Sequence, residues 1–378
     1  MSKNGQKYIL VTLVLICVSG IFFLYKITQT RSISLNQYFT LSSPIPSSSS
    51  SSPLPFIDLT IPFLRERKYQ SALASLEKIT QNPNYTSYLT SFTSDGLRIN
   101  GLLTIPIGQK PVAGWSAIVF VHGYIPPKQY VTQEKYQDYV DFLARNGFVV
   151  FKIDLRGHGS SEGEASGAYY SSDYVIDTLN AREALKTLRL PDSGVIPKII
   201  ETQNEVGIPQ NYKVLVDPNK IGLWGHSMAG NVVFRSLAAR PEIPAVVIWA
   251  GAGYTYSDLR EYRIGDVSYQ SPPAGSERAR QRKILFETYG EFDPENIFWM
   301  QVIPTNYLTD IKGAIQIHHA TNDEVVSIEY SRNLKKILDA TSIIHELYEY
   351  PNGGHNLTGS SFTQAMQRTV EFYNKYFR

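Results

Sequence analysis

Short apolar runs recur along the second half and more of this chain, each followed by a stretch with helical spacing. They are SAIVFV (116–121), GFVVFKI (147–153), KIGLW (220–224), AVVIWA (245–250), AIQIH (314–318) and HELYEY (345–350). Runs that are apolar at nearly every position suit strands buried on both faces. Their alternation with helices predicts a mostly parallel central sheet with helices on both faces. Before them, YLTSFT and LRINGLLTIP flank Ser94-Asp95-Gly96, and Asp-Gly between alternating segments predicts a hairpin. Tyr69, Leu73, Leu76 and Ile79 recur every three or four residues and predict a helix that ends at Asn82-Pro83.

The N-terminal pattern is different. Tyr8 to Tyr25 is a run of 18 residues without a charge, preceded by Lys3 and Lys7 and followed by Lys26 and Arg31. It is longer than the apolar region of most cleaved signals, and the apolar IFFLY that follows Val18-Ser19-Gly20 argues against cleavage there. Residues 1–26 are therefore expected to be an uncleaved N-terminal transmembrane anchor rather than a removed signal or a core helix. The Ser/Pro-rich LSSPIPSSSSSSPLP, Leu41 to Pro55, cannot build a core, so 27–55 reads as a tether and 56–378 as the globular body. Basic residues are nearly balanced across the anchor, and only the terminal amine tips the N-terminus inward. The expectation is a single-pass membrane protein with its body on the extracytoplasmic side.

Composition removes several function classes. Lys plus Arg less Asp plus Glu is 36 − 34 = +2, so there is no electrostatic case for nucleic acid. Cys17 is the only cysteine, which leaves no intrachain disulfide and no cysteine-based metal site. With no HExxH and no cluster at zinc spacing, neither a metal nor another cofactor is expected. The 25 tyrosines and 17 phenylalanines suggest a large aromatic core or pocket.

In parallel sheets, chemistry gathers beyond the C-terminal ends of the strands. KIGLW ends in Gly225-His226-Ser227-Met228-Ala229-Gly230, and the helical NVVFRSLAA follows. Strand, tight turn and helix form the context of a nucleophile elbow, which makes Ser227 a candidate nucleophile rather than a loop serine. SAIVFV ends in His122-Gly123-Tyr124, a position that can supply one oxyanion-hole N–H from Tyr124, with the other from Met228. GFVVFKI ends in Asp154-Leu155-Arg156-Gly157-His158, whose charged residues are expected to fix the loop rather than react. AIQIH leads into His319-Ala320-Thr321-Asn322-Asp323, and HELYEY into Pro351-Asn352-Gly353-Gly354-His355. Ser227, Asp323 and His355 thus follow separate strands in the order serine, acid, histidine, the order expected of an α/β-hydrolase. His318 and His319 read as structural, and Glu324 as pointing away.

GHSMAG, the VHG loop, DLRGHGSS, HHATNDEVVS and PNGGHN resemble the catalytic domain of the prolyl oligopeptidase family and its esterase relatives, over roughly Leu89 to Arg378. The resemblance implies an α/β-hydrolase fold and hydrolysis of a small ester or short peptide through an acyl-enzyme. Ala229 stands where the family usually has glycine. The family's peptidases generally carry a β-propeller, but only about 35 residues separate tether from hairpin here, too few for one blade. A tethered binding protein that keeps the fold without chemistry is the alternative. Two insertions, between Leu190 and Lys220 and across a lid at about 252–310, are candidates for specificity. The lid aromatics read as lid core before substrate wall, and SERARQRK as a solvated helix face.

Overall fold

The computed structural model describes residues 54–191, 199–200, 212–262 and 272–377. The expected anchor, and all of the expected tether except its last two residues, lie outside these. Among the described residues no helix is long and apolar enough to cross a membrane. The first elements are α1 (Ile61–Glu66), β1 (Leu76–Gln81), β2 (Tyr85–Ser94), β3 (Leu97–Pro106), β4 (Trp115–Val121), α2 (Gln137–Arg145), β5 (Val149–Ile153) and α3 (Asp173–Thr187). Next come β6 (Arg189–Pro191), β7 (Ile199–Ile200), β8 (Tyr212–Val214), β9 (Val216–His226), α4 (Met228–Ala239) and β10 (Ala245–Trp249). The chain continues through α5 (Tyr256–Glu261), α6 (Glu277–Tyr289), α7 (Ile297–Val302), β11 (Ala314–Ala320), α8 (Glu329–Asp339), β12 (His345–Tyr350) and α9 (Ser360–Tyr376).

Among the described residues ten strands form one sheet in the order β12-β11-β10-β9-β4-β5-β3-β2-β1-β7. The pairings from β12 to β5 are parallel, and those from β5 through β3, β2 and β1 to β7 are antiparallel. β4 shows why the apolar runs lie at the centre. Ala117, Val119 and Val121 face one core, Ile118 and Phe120 face the other, and all five are buried. The first core is closed by α1, α3, α4 and α8, and the second by α2 and α9. α9 buries Ala365, Met366, Thr369, Phe372 and Tyr373, a one-sided helical stripe. α3, packed against both the sheet and α4, is buried almost all round. This is the α/β-hydrolase architecture.

The hairpin forms where the sequence places it, with Ser94 paired to Leu97 and positive φ at both Asp95 and Gly96. The helix expected through Tyr69, Leu73, Leu76 and Ile79 does not form. Residues Leu76–Gln81 are strand β1, paired antiparallel with β2, and Leu73 bridges to Phe92. A three-residue apolar spacing also suits a strand buried on both faces. Leu76 enters the first core while Ile79 packs on the second, so sheet pairing overrides the helical reading. In the first insertion, β6 and β8 form a two-stranded pair and β7 extends the sheet edge; the intervening residues lie outside those described.

The DxRGxG loop after β5 is an anchor. Arg156 donates to both carboxylate oxygens of the fully buried Asp177 on α3 (2.7 and 3.0 Å) and also pairs with Asp173 and Asp95. Asp154 accepts hydrogen bonds from Tyr130 and Thr132, fastening the loop after β4 to the end of β5.

Candidate active site

β9 lies in the middle of the sheet, and the chain reverses at its end into α4 within a single residue, Ser227. That residue has φ 56° and ψ −122°, outside the regions a serine normally adopts. The turn is held by the Ser227 N–H donating to the Trp249 carbonyl (2.8 Å) and the Gly230 N–H donating to the Ser227 carbonyl (2.9 Å). The small residues around it answer to close backbone approach. A Cβ on Gly225 would lie 2.6 Å from the Ala229 carbonyl oxygen, and one on Gly230 would lie 2.7 Å from Gly251 Cα. Ala229 is fully buried and accommodated. Gly230, one place beyond the usual glycine, is where a methyl would collide.

The acid and the histidine meet at the ends of β11 and β12. His355 Nδ1 donates to Asp323 Oδ2 at 2.8 Å, which leaves Nε2 as the free ring nitrogen. The Asp323 side chain is buried, and its other oxygen accepts from the Val325 and Val326 N–H groups (2.8 and 2.9 Å). His319 Nε2 lies 3.1 Å from Asp323 Oδ2 and 2.9 Å from the Val326 carbonyl, so it carries a proton and donates, while its Nδ1 lies 2.7 Å from the Ser331 hydroxyl. Burial alone would raise the Asp323 pKa. The hydrogen bonds from His319 and His355 outweigh it and hold the carboxyl well below the usual carboxylate range. The histidine loop needs its glycines: Gly353 sits at φ 120°, and a Cβ there would approach Leu357 Cα to 2.8 Å.

Ser227 and His355 line one cavity of about 750 Å³, together with Tyr124, Tyr136, Tyr139 and Phe362. No hydrogen bond joins the Ser227 hydroxyl to His355 among the described residues; such bonds are often long until substrate is in place. The Gly123 N–H is taken by the Tyr136 hydroxyl (2.9 Å), whereas no protein group among the described residues takes the Tyr124 or Met228 N–H. The walls come from the loop after β4, the start of α2, the histidine loop and the start of α9. Neither insertion contributes a lining residue among those described. The lid aromatics Phe286, Phe292, Phe298 and Trp299 pack on one another and on Leu59, forming a separate small core. Ser276 caps α6, and Arg280 pairs with Glu277 on its exposed face.

His318 sits in the second core, bonded to Tyr350 and Gln316, away from the cavity. His158 is buried with its ring edge against His122, and Glu324 is exposed. Sequence reasoning missed the grip of His319 on Asp323 and the presence of His226 and Tyr136 in the cavity wall. Nothing in the spacing marks one tyrosine among 25.

Residues 115–194 match a family model described as serine aminopeptidase, S33. The fold is similar to that of acetyl xylan esterase 1 from Thermoanaerobacterium sp., at 18% identity and a TM-score of 0.50 over 86% of this chain and 96% of that one. It is also similar to a Pyrococcus horikoshii acylaminoacyl peptidase (20% identity, TM-score 0.53), with 78% of this chain covering 42% of that chain. A Mycobacterium tuberculosis puromycin-hydrolyzing peptidase matches at 18% identity and TM-score 0.51 over 79% of this chain and 40% of that chain. The chain thus spans nearly all of the esterase but about two fifths of either peptidase.

The buried titratable groups set a pH dependence. Burial pushes His122, His226 and His318 down to about 3, whereas in the unfolded chain each titrates near about 6.5. Their stabilising contribution is full above the unfolded value and is lost as pH falls from there toward 3. Asp154 has the opposite sign: burial raises its carboxyl to about 6, so it keeps a proton at pH 5 that the unfolded chain has released. His158 is pushed down by burial as well, and Asp177 and Asp258 are raised like Asp154, so four histidines against three carboxyls leave a net uptake of protons on unfolding near pH 5 and a stability that falls with pH. Urea unfolding between pH 6.5 and 4.5 should show the unfolding free energy, and with it the midpoint, falling as the pH falls; a pH-independent midpoint contradicts the assignment of these histidines as neutral.

Proposed function

We propose that this protein is a serine hydrolase cleaving carboxylic ester or peptide bonds, with Ser227 as nucleophile, His355 as base and Asp323 as the acid that orients it. One observation carries the reading. A serine on a strained strand-to-helix turn shares a cavity with a histidine whose far nitrogen donates to a buried, ionised carboxylate. His355 Nε2 accepts the Ser227 proton as Oγ bonds to the substrate carbonyl carbon, and Asp323 stabilises the imidazolium. The Tyr124 and Met228 N–H groups receive the oxyanion. Collapse expels the alcohol or amine, which takes the proton from His355. Water then attacks the acyl-enzyme, giving its proton to His355, and the Ser227–acyl bond breaks as Ser227 regains a proton.

Esters are the first expectation because an alkoxide or phenoxide leaves more readily than an amide nitrogen. The near-complete span of the acetyl xylan esterase supports it. Peptide cleavage is the second reading, favoured by the serine aminopeptidase model over residues 115–194. The retention of serine, acid and histidine together argues against a catalytically silent binding protein. Activated short-chain aryl esters should turn over faster than any peptide amide, with long acyl chains and intact proteins poor substrates. Ser227→Ala should abolish turnover and Asp323→Asn should lower kcat about 10³–10⁴-fold, whereas His318→Ala leaves the rate within a few-fold. A preference for a peptide amide over every ester in the panel makes the peptidase reading the better one; turnover surviving Ser227→Ala rejects the mechanism.

The same reading includes a single-pass anchor at residues 1–26, a tether over 27–55 and an extracytoplasmic catalytic body, supported by the uncharged Tyr8–Tyr25 run and the serine-rich segment. Limited proteolysis near Ser47–Ser52 should release the body intact from membranes. Protease protection of the body in intact cells, lost on permeabilisation, would place it on the other side.

A further inference from the structure

Two loops that both serve the reaction must agree on where Ser227 sits. The loop after β4 supplies the Tyr124 N–H, and the loop after β12 supplies His355. A chain of hydrogen bonds runs between them. The Gly123 N–H donates to Tyr136 Oη at 2.9 Å, Tyr136 Oη lies 2.7 Å from His226 Nδ1, and His226 Nε2 lies 2.9 Å from the His355 carbonyl oxygen. The direction of every proton is fixed by the two ends. A backbone N–H can only donate and a backbone carbonyl can only accept. Tyr136 therefore accepts from Gly123 and gives its own proton to His226 Nδ1, and His226 gives its Nε2 proton to His355. This order requires a neutral imidazole, as its burial favours.

The surroundings leave little freedom. His226 is buried, and its ring lies 4.6 Å from the His355 ring. Tyr136 packs edge-on against Phe120, with ring centroids 5.4 Å apart. A Cβ on Gly123 would lie 2.9 Å from Tyr136 Oη and 3.0 Å from His226 Nδ1, so only glycine admits the bridge there. Because Tyr136 occupies the Gly123 N–H, the next amide, that of the cavity-lining Tyr124, is the one left without a protein partner among the described residues.

We propose that Tyr136 and His226 are positioning residues, a one-way hydrogen-bonded bridge that sets the oxyanion loop and the His355 loop at the separation the transition state requires. This rests on the serine-hydrolase reading, but it assigns a role to two residues which that reading leaves idle. Neither touches the reacting atoms. Misplacement of a catalytic group by about 1 Å can cost about 10²-fold in rate without weakening substrate binding.

The test measures kcat and KM of the full chain on a short-chain aryl ester, with thermal unfolding in parallel. Wild-type turnover that depends on Ser227 comes first; without it the hydrolase reading itself fails, independently of the bridge. Given that turnover, Tyr136→Phe, which removes one oxygen, should lower kcat about 10–100-fold with KM changed less than about twofold. His226→Leu should show the same loss. His226→Gln, which can accept at its oxygen and donate at its nitrogen, should recover most of it. Tyr136→Phe combined with His226→Leu should be no slower than the worse single variant, because the bridge is already broken. Wild-type kcat in Tyr136→Phe, a loss confined to KM, or deficits that multiply in the double variant would each overturn the proposal. Should His226→Leu fail to fold, Tyr136→Phe and His226→Gln decide the matter alone.

Discussion

The structure depends on how closely β9 and α4 approach each other at Ser227. A strand at the centre of a parallel sheet must turn back into a helix at once. The turn admits only small residues on either side and forces a left-handed backbone at the serine. That strain, on the order of 1–3 kcal/mol, is held by the hydrogen bonds to Trp249 and Gly230 and by the buried helix behind them. In return the hydroxyl stands clear of the sheet edge. Sheet order does the rest: β4 on one side of β9 presents the loop with Tyr124, while β11 and β12 on the other present Asp323 and His355.

Electrostatically the site is built around one ionised carboxylate, Asp323. Asp323 keeps its charge because two histidines and two backbone N–H groups surround it, although its side chain is buried. His226 and His122, without a carboxylate of their own, are kept neutral by burial. The negative charge is therefore localised where it can stabilise a cation forming on His355. Among the described residues no side chain takes the Tyr124 or Met228 N–H.

Much of this was legible in the chain because strand ends carry their own punctuation. Apolar runs marked the central strands, and the glycine-rich loops after them placed Ser227, Asp323 and His355 at the C-terminal edge. The segment around Leu73–Ile79 was misread because a three-residue apolar spacing serves a helix with one buried face and a strand with two. The cavity wall was illegible for a different reason. It was sought in the long insertions, whose aromatics turn inward on one another, while the lining comes from short segments before α2 and α9. Tyr136 and His226 meet across 90 residues of sequence, and only tertiary packing brings them together.

The central claim is that the strained Ser227 is a nucleophile poised by His355. It is tested most directly by reacting the folded protein with a fluorophosphonate and mapping the modified peptide by mass spectrometry. The account predicts a single phosphonyl adduct on the peptide containing Ser227, formed rapidly in the native protein and lost on denaturation or in His355→Ala. An adduct on another residue, or none on a folded protein, would contradict it.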